Sequence, residues 1–401
     1  MSLSPPAAAG RPVGLVLPLG STFGWGIFGL QTVLHMRRQG LRPIPLVRPT
    51  DLELDPVQRF LLAPALADHE VFLRQCAAAP DGPITTHVPV LHGLGNGLLP
   101  ADLTHRVVGR PDHAIVFLED TRLDAAARAR GARFATIVCG SSWNRQVLAD
   151  AGLANTALCI QGIDPAVFHP APRNGWLADR FVVFSGGKLE YRKGQDIVIA
   201  AFRAFRARHP EALLMVSWSN RWREGLAGVA HAGLVAGAPG HLAGTGGRLD
   251  LLPWLAENGL PVEAVLDLGL VQNRELGPVL READVALFPN RAEGGTNLVA
   301  MECIACGVPT IVADNTGQRD LTAIEGVVRL ARQAPVAAPV STIGTDGWGE
   351  SSVEEVVETL ERVYQNREAA RSGAASAAQW IARWSWATQI DRLTASLRLG
   401  S

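Results

Sequence analysis

The chain has 401 residues, 47% hydrophobic and 19% charged, and its 37 Lys and Arg nearly balance 38 Asp and Glu, leaving a net charge of −1. That length suits two domains, and the apolar fraction excludes wholesale disorder. The charge balance argues against a general nucleic-acid binder. Five cysteines in such a length form no disulfide framework, so a reducing, cytoplasmic compartment is expected.

Residues 1–10 (MSLSPPAAAG) read as a frayed leader. No compact apolar stretch with a cleavage site follows, which argues against a signal peptide or membrane span and leaves at most peripheral membrane association. VGLVLPL (13–19) reads as a buried strand, GSTFGWG as a glycine-rich turn, and IFGLQTVLHMRRQG as a helix stopped at Gly40. PIPLV (43–47) is the next strand, and the segment from Asp55 to Cys76 a helix with a break near Pro64. THVPVLHG (86–93), AIVFLED (114–120), ATIVCG (135–140) and ALCIQGI (157–163) are strands. Helices ending at Gly131 and starting at Ser141 or Ser142 separate the later ones. Apolar strands alternating with amphipathic helices predict a parallel sheet covered on both faces.

PAVFHPAPRNG (165–175) interrupts this rhythm and reads as an interdomain linker. The alternation then restarts, with strands predicted over 181–187, 212–218, 262–269, 284–290, 309–314 and 327–330 and helices between them. A capping box, Ser352 with Glu355, starts another helix. The tryptophan-rich end, 376–398, reads as one long helix. The division expected is 1–170, 171–375 and a terminal helix over 376–401.

Two segments carry the clearest chemistry. SGGKLEYRKG (185–194) joins a strand to a helix, at the sheet edge where open α/β folds bind ligands. Lys188 and Lys193 at that junction, flanked by glycines, suit a diphosphate; the bland reading is a solvated basic turn. In NRAEGGTNLVAMECIACGVPT (290–310), Glu293, two glycines, Thr296 and Asn297 precede a helix holding Glu302 among apolar residues. Backbone N–H groups there could bind an anion or sugar hydroxyls, and carboxylates accept from vicinal hydroxyls. A buried Glu302 would need a partner; its bland reading is an exposed helix face.

Taken in order, QGIDPAVFHP (161–170), GGKLEYRKG, VLDLGLVQNRELGPVLREADVALFPN and EGGTNLVAMECIACGVPTIVADNTGQRDL resemble the motif series of glycosyltransferase family 4. These are retaining nucleotide-sugar enzymes of the GT-B class. The likeness covers roughly residues 114–325 well and the first hundred residues weakly. It implies an α/β fold of two tandem Rossmann-like domains with an interdomain cleft and a C-terminal crossover helix. It implies transfer of a hexose from a nucleoside-diphosphate sugar to a glycan, lipid-linked or other hydroxyl acceptor, with retention, no metal and no cofactor beyond the donor.

Carried over by position, the resemblance puts catalysis on Glu293, Lys188 and Lys193, the lysines contacting the donor diphosphate and Glu293 the donor sugar. Glu302 would bind ribose hydroxyls. Gly294, Gly295, Thr296 and Asn297 would contact sugar and phosphate, and Leu270 and Val271 the base. Gly24 and Gly26 of the first-domain glycine loop would face the phosphates. Two departures stand out. Eight residues, Gly294 to Met301, separate the glutamates where the family has seven, and Glu119 and Asp120 stand where the family often has a histidine. Glu119 and His92 are therefore the acceptor-side candidates.

Other readings remain open. Gly24-Trp25-Gly26-Ile27-Phe28-Gly29 matches a dinucleotide fingerprint with Arg48 after the second strand, which would suit an NADP-dependent oxidoreductase. A non-catalytic sugar-nucleotide-binding protein is a third reading. Cys303-x-x-Cys306 invites a metal, but no second pair or nearby histidine accompanies it, and apolar packing is preferred.

Overall fold

The computed structural model describes residues 10–78, 82–100, 106–243, 245, 248–340 and 342–399; all but the last residue of the expected N-terminal leader lie outside them. The chain forms two compact units, Met1–Gly162 with Trp384–Ser401, and Ile163–Arg383.

The first unit runs β1 (Arg11–Val16), α1 (Gly24–Arg38), β2 (Leu41–Pro45), α2 (Pro56–Ala78), β3 (Ile84–Thr85), β4 (Val90–Leu94), β5 (Val107–Val108), β6 (Asp112–Val116), α3 (Ala125–Gly131), β7 (Thr136–Cys139), α4 (Ser142–Asp150) and β8 (Thr156–Leu158). Six strands pair in parallel in the order β2-β1-β4-β6-β7-β8, so the order reverses between β1 and β4. Ala114, Val116, Ile137 and Cys139 face one side of this sheet and pack on Leu123, Ala127 and Leu148.

The second unit continues with β9 (Phe181–Lys188), α5 (Gln195–Arg206), β10 (Ala212–Ser219), α6 (Arg223–Leu226), α7 (Leu251–Glu257), β11 (Val265–Asp267), α8 (Asn273–Leu280), β12 (Val285–Phe288), α9 (Leu298–Ala305), β13 (Thr310–Ala313), α10 (Arg319–Thr322), β14 (Val328–Leu330), β15 (Gln333–Ala334), β16 (Glu350–Ser351), α11 (Val353–Gln365) and α12 (Arg367–Ile381). Its parallel sheet is ordered β11-β10-β9-β12-β13-β14, with the reversal between β9 and β12. Ligands of open α/β sheets bind outside the carboxyl ends of the strands at such a reversal. The runs FVVF and VALF are buried throughout, as strands covered on both faces must be.

The structure corrects several expectations. α2 passes through Pro64 without ending. Leu62, Ala65 and Phe72 bury one face and Asp68 pairs with Arg42 at 2.7 Å, while Pro64 lies on the exposed face. Packing outweighs the lost hydrogen bond, because a carbonyl released on that face is open to water.

The tryptophan-rich end is two helices, α12 and α13 (Trp386–Ser396), because the Ser385 hydroxyl caps a new start by accepting from the Thr388 N–H at 3.2 Å. α13 belongs to the first unit, where Trp386 meets Phe28 of α1 edge-on at 6.0 Å. The units divide at 162/163 and 383/384, whereas the sequence reading divides them at 170/171 and 375/376. The proline-rich stretch is docked on the second unit. A Cβ on Gly277 would sit 2.4 Å from the Val167 carbonyl, and Glu282 accepts from the Asn174 N–H at 2.7 Å. The capping box is half formed. Ser352 accepts from the Glu355 N–H, but the Glu355 carboxylate accepts instead from the Ala331 and Arg332 N–H groups.

Candidate active site

The loops following β9 and β12 meet at the reversal point of the second sheet. Gly194 makes this approach possible. Its φ of +67° is the left-handed region, and a Cβ there would lie 2.4 Å from the Pro289 carbonyl. The Arg192 carbonyl then accepts from the Arg291 N–H at 2.7 Å. Arg291, fully buried, locks the junction. It donates to both Asp196 oxygens at 2.8 Å, to the Tyr191 carbonyl and to Glu350 at 2.7 Å, and its guanidinium lies 4.1 Å from the Tyr191 ring centroid. Burial opposes the charge of Arg291, yet its two carboxylate partners raise its pKa above the ordinary value.

A chain of five charges is held on this frame. Lys188 Nζ is 2.8 Å from Glu190, and Arg192 is 2.9 Å from Glu190 and 3.2 Å from Glu293. Lys193 Nζ is 2.5 Å from Glu293. Three cations against two carboxylates leave one positive charge. Burial pushes the Glu190 carboxyl up, but Arg192 and Lys188 outweigh it and hold it at about 2. Burial likewise opposes the Glu293 charge, and Lys193 and Arg192 bring its pKa below the ordinary value. Burial lowers the Lys193 ammonium despite the attraction of Glu293. Lys188 is the more accessible lysine, its ammonium 5.3 Å from the Trp222 ring.

The resemblance has Glu293 contact the donor sugar. In the structure its carboxylate accepts from Lys193, Arg192 and Asn290, and its N–H donates to Thr316 Oγ1 at 2.9 Å. Its position is that of an anchor for the cations. Gly294, Gly295, Thr296 and Asn297 follow it as a buried turn. Asn297, at φ +68°, caps α9 by accepting from the Ala300 N–H, and Thr296 Oγ1 lies 2.9 Å from Met301 Sδ. A Cβ on Gly317 would fall 1.9 Å from the Gly295 carbonyl, so the turn rests directly on backbone. A Cβ on Gly186 would crowd Val299 of α9 at 2.9 Å, whereas Gly187 beside it, at φ +123°, has nothing nearer than the Lys193 chain at 4.0 Å. Open backbone thus adjoins the cation chain.

Glu302 is not part of that chain. It is buried in α9 and accepts from Asn273 Nδ2, at the start of α8, at 2.6 Å. Burial raises its carboxyl to about 8 against that single hydrogen bond. Leu270, exposed, and Val271, half-buried, lie just before Asn273 in the loop after β11.

In the first unit, Gly24 opens α1 with open space about it, its Cβ position 3.9 Å from the Gln161 amide. Gly26 and Gly29 are packing positions, where a Cβ would lie 2.9 Å from the Gly20 nitrogen and 2.1 Å from the Pro18 carbonyl. Glu119 sits after β6 at the carboxyl edge, its N–H donating to Asn96 Oδ1 at 3.0 Å. His92 does not reach that edge. It is buried in mid-β4, with Nε2 2.8 Å from Asp112 at the amino end of β6. An imidazole satisfied by a carboxylate inside a sheet is a structural element, which corrects its acceptor-side assignment.

Cys303 and Cys306 are buried thiols whose pKa values burial raises, Cys306 to about 12. Among the described residues no cluster of three or more His, Cys, Asp or Glu forms a metal-binding group, and no helix is long and apolar enough to cross a membrane.

Residues 143–393 match the family described as Family 4 Glycosyltransferase in conflict systems. The chain belongs to this family. It is 26% identical over 219 residues to the glycogen synthase of Mycobacterium tuberculosis, covering 50% of this chain and 46% of that one. It is 26% identical over 251 residues to a GDP-mannose-dependent alpha-(1-6)-phosphatidylinositol monomannoside mannosyltransferase of the same species, covering 59% and 54%. The chain spans about half the length of the curated relatives it matches. In fold it is similar to sucrose-phosphate synthase from Thermosynechococcus elongatus, with a TM-score of 0.62 at 15% identity over 98% of this chain and 100% of that one. It is equally similar to Anabaena HepE, solved with UDP and glucose, with a TM-score of 0.62 at 12% identity over 97% and 100%. The fold is thus GT-B, two Rossmann-like units, and family membership removes the ground for the oxidoreductase reading.

Sequence reasoning missed Glu190, Arg192, Asn273, Asn290 and Arg291. The alternating charges of Lys188, Glu190 and Arg192 are a legible local signal. The partnership of Glu302 with Asn273, 29 residues away, has none.

Proposed function

We propose that the protein transfers a hexosyl group from a nucleoside-diphosphate sugar to a hydroxyl of a glycan, a lipid-linked saccharide or another acceptor, with retention. The observation that carries this reading is the surplus positive charge of the Lys188–Glu190–Arg192–Glu293–Lys193 chain beside the open backbone of Gly187. Named relatives use GDP-mannose, and a structural neighbour binds UDP and glucose.

In the proposed reaction the bond from the anomeric carbon to the diphosphate breaks and its electron pair passes to the leaving phosphate oxygen. Lys188, Lys193 and Arg192 lie where that charge grows, and preorganised cations stabilise it without reorganising. The acceptor oxygen bonds the anomeric carbon from the same face, and its proton passes to the departing phosphate. Glu293 positions the cations, and Glu302 pairs with the ribose hydroxyls. The cations supply the charge a metal would otherwise bring, so the proposal includes turnover without added metal, in the cytoplasm.

The test is a screen of UDP-, GDP- and ADP-sugars for release of nucleoside diphosphate, with and without mixed saccharide acceptors. Release from one donor class, raised by an acceptor, is expected. Tight donor binding with neither transfer nor hydrolysis would favour a non-catalytic sugar-nucleotide binder.

A further inference from the structure

α1 starts at the reversal point of the first sheet, just after β1. Its start lacks the usual closures. Phe23 at the cap position makes no side-chain hydrogen bond, and the first turn holds no acidic residue. Among the described residues the N–H groups of Gly24, Trp25 and Gly26 have no acceptor in the protein. Free N–H groups at a helix start attract anions, and a glycine among them lets a ligand reach the backbone.

An independent observation points into the same place. Gln161 is 7% exposed, and among the described residues its carboxamide has no hydrogen-bond partner. Its Nε2 lies 3.9 Å from the position a Cβ would take on Gly24, across otherwise open space. Neither amide atom is sealed from solvent, in contrast to the unmet polar atoms of the interior. A carboxamide nine-tenths buried yet unbonded is costly, and one facing an open helix start points to a ligand between them. Packing holds it there. A Cβ on Gly162 would fall 2.5 Å from Trp386 Cα, and Cys159 Sγ donates to the Gln389 carbonyl at 3.2 Å, so residues 159–162 lie directly on α13. α13 in turn meets α1 through Trp386 and Phe28.

We propose that Gln161 is a further substrate-binding residue, its carboxamide donating to a phosphate oxygen seated on the free N–H groups at the start of α1. This rests on the reading of the protein as a transferase acting on phosphate-bearing sugars, and it gives the first unit a phosphate subsite of its own. The helix dipole and neutral donors favour an oxyanion there without a cation. The amide oxygen is left to accept from a neighbouring hydroxyl. A nucleotide donor and a phosphorylated acceptor share this chemistry, and the experiment separates them.

The experiment is ¹⁵N NMR of the whole protein labelled at glycine and glutamine. The Gly24 backbone and Gln161 side-chain signals are those lost in Gly24→Ala and Gln161→Glu. Inorganic phosphate, UDP, GDP, glucose 6-phosphate and glucose are titrated separately. Saturable movement of both signals by phosphate carriers, and none by glucose, is expected. Tightest response to a nucleotide identifies the donor as the source, and tightest response to glucose 6-phosphate a phosphorylated acceptor. Gln161→Glu sets a carboxylate against the phosphate and should weaken the Gly24 response at least about tenfold. Gly24→Ala puts a methyl into the open space and should weaken the Gln161 response likewise. A protein that moves these signals yet releases nucleoside diphosphate from no donor keeps the subsite and loses the transferase reading. Both signals unmoved by every carrier, whether or not donor is turned over, or responses undiminished in both variants, overturn the subsite.

Discussion

Replacing Glu302 by glutamine removes a buried acid while keeping its oxygen as acceptor for Asn273. Burial raises the carboxyl from an ordinary 4.5 to about 8. The folded state therefore holds this proton more tightly than the unfolded chain. The penalty of the buried acid is absent below pH 4.5, grows as pH rises, and is complete above pH 8. The gap between the two values is about 3.5, and at about 1.4 kcal/mol for each, the full penalty is roughly 5 kcal/mol, with roughly 3 kcal/mol developed by pH 7. Glu302 is 2% exposed, so solvent screening removes little of this. The assay is urea unfolding of wild type and Glu302→Gln at pH 5, 7 and 9, comparing differences so that other titrations cancel. The variant should gain on wild type at each step upward, by a few kcal/mol between pH 5 and 9. A difference flat with pH would mean that Glu302 ionises freely, and the burial argument would fail.

Lys193→Ala should lower kcat/KM for transfer by about 2–4 kcal/mol of transition-state stabilisation, read as nucleoside diphosphate release, with Lys188→Ala milder because its ammonium is more exposed. Unchanged kinetics in both variants would remove the cation chain from the reaction. Arg291→Met strips Asp196 of its buried partner and should cost about 3–5 kcal/mol in denaturant unfolding. Gly29→Ala drives a Cβ to within 2.1 Å of the Pro18 carbonyl, which should cost about 2–3 kcal/mol without changing turnover per folded molecule. If protein cations supply the charge, as proposed, chelation with EDTA should leave donor turnover unchanged, and loss of turnover restored by a divalent cation would refute that part of the proposal.

What could be read along the chain was whatever is local. Apolar runs such as FVVF and VALF, each followed by glycine and charge, place strand ends and the charged loops beyond them within a few residues of where the structure has them. Lys188, Lys193 and Glu293 were legible because each stands just beyond such a run. Helix boundaries were less so. Pro64 and the 376–398 stretch show that burial of one face and a serine hydroxyl outrank simple patterning. The amino-acid order by itself determined the two α/β units, the family and the residue types at the sheet reversal. Only the tertiary structure decided the surroundings of each charge: Glu293 paired with Lys193, Glu302 buried beside Asn273 with its carboxyl pushed up by burial, and His92 satisfied inside the sheet. The reason is physical. Protonation and pairing depend on burial and on partners tens of residues distant, which meet only when the chain has closed.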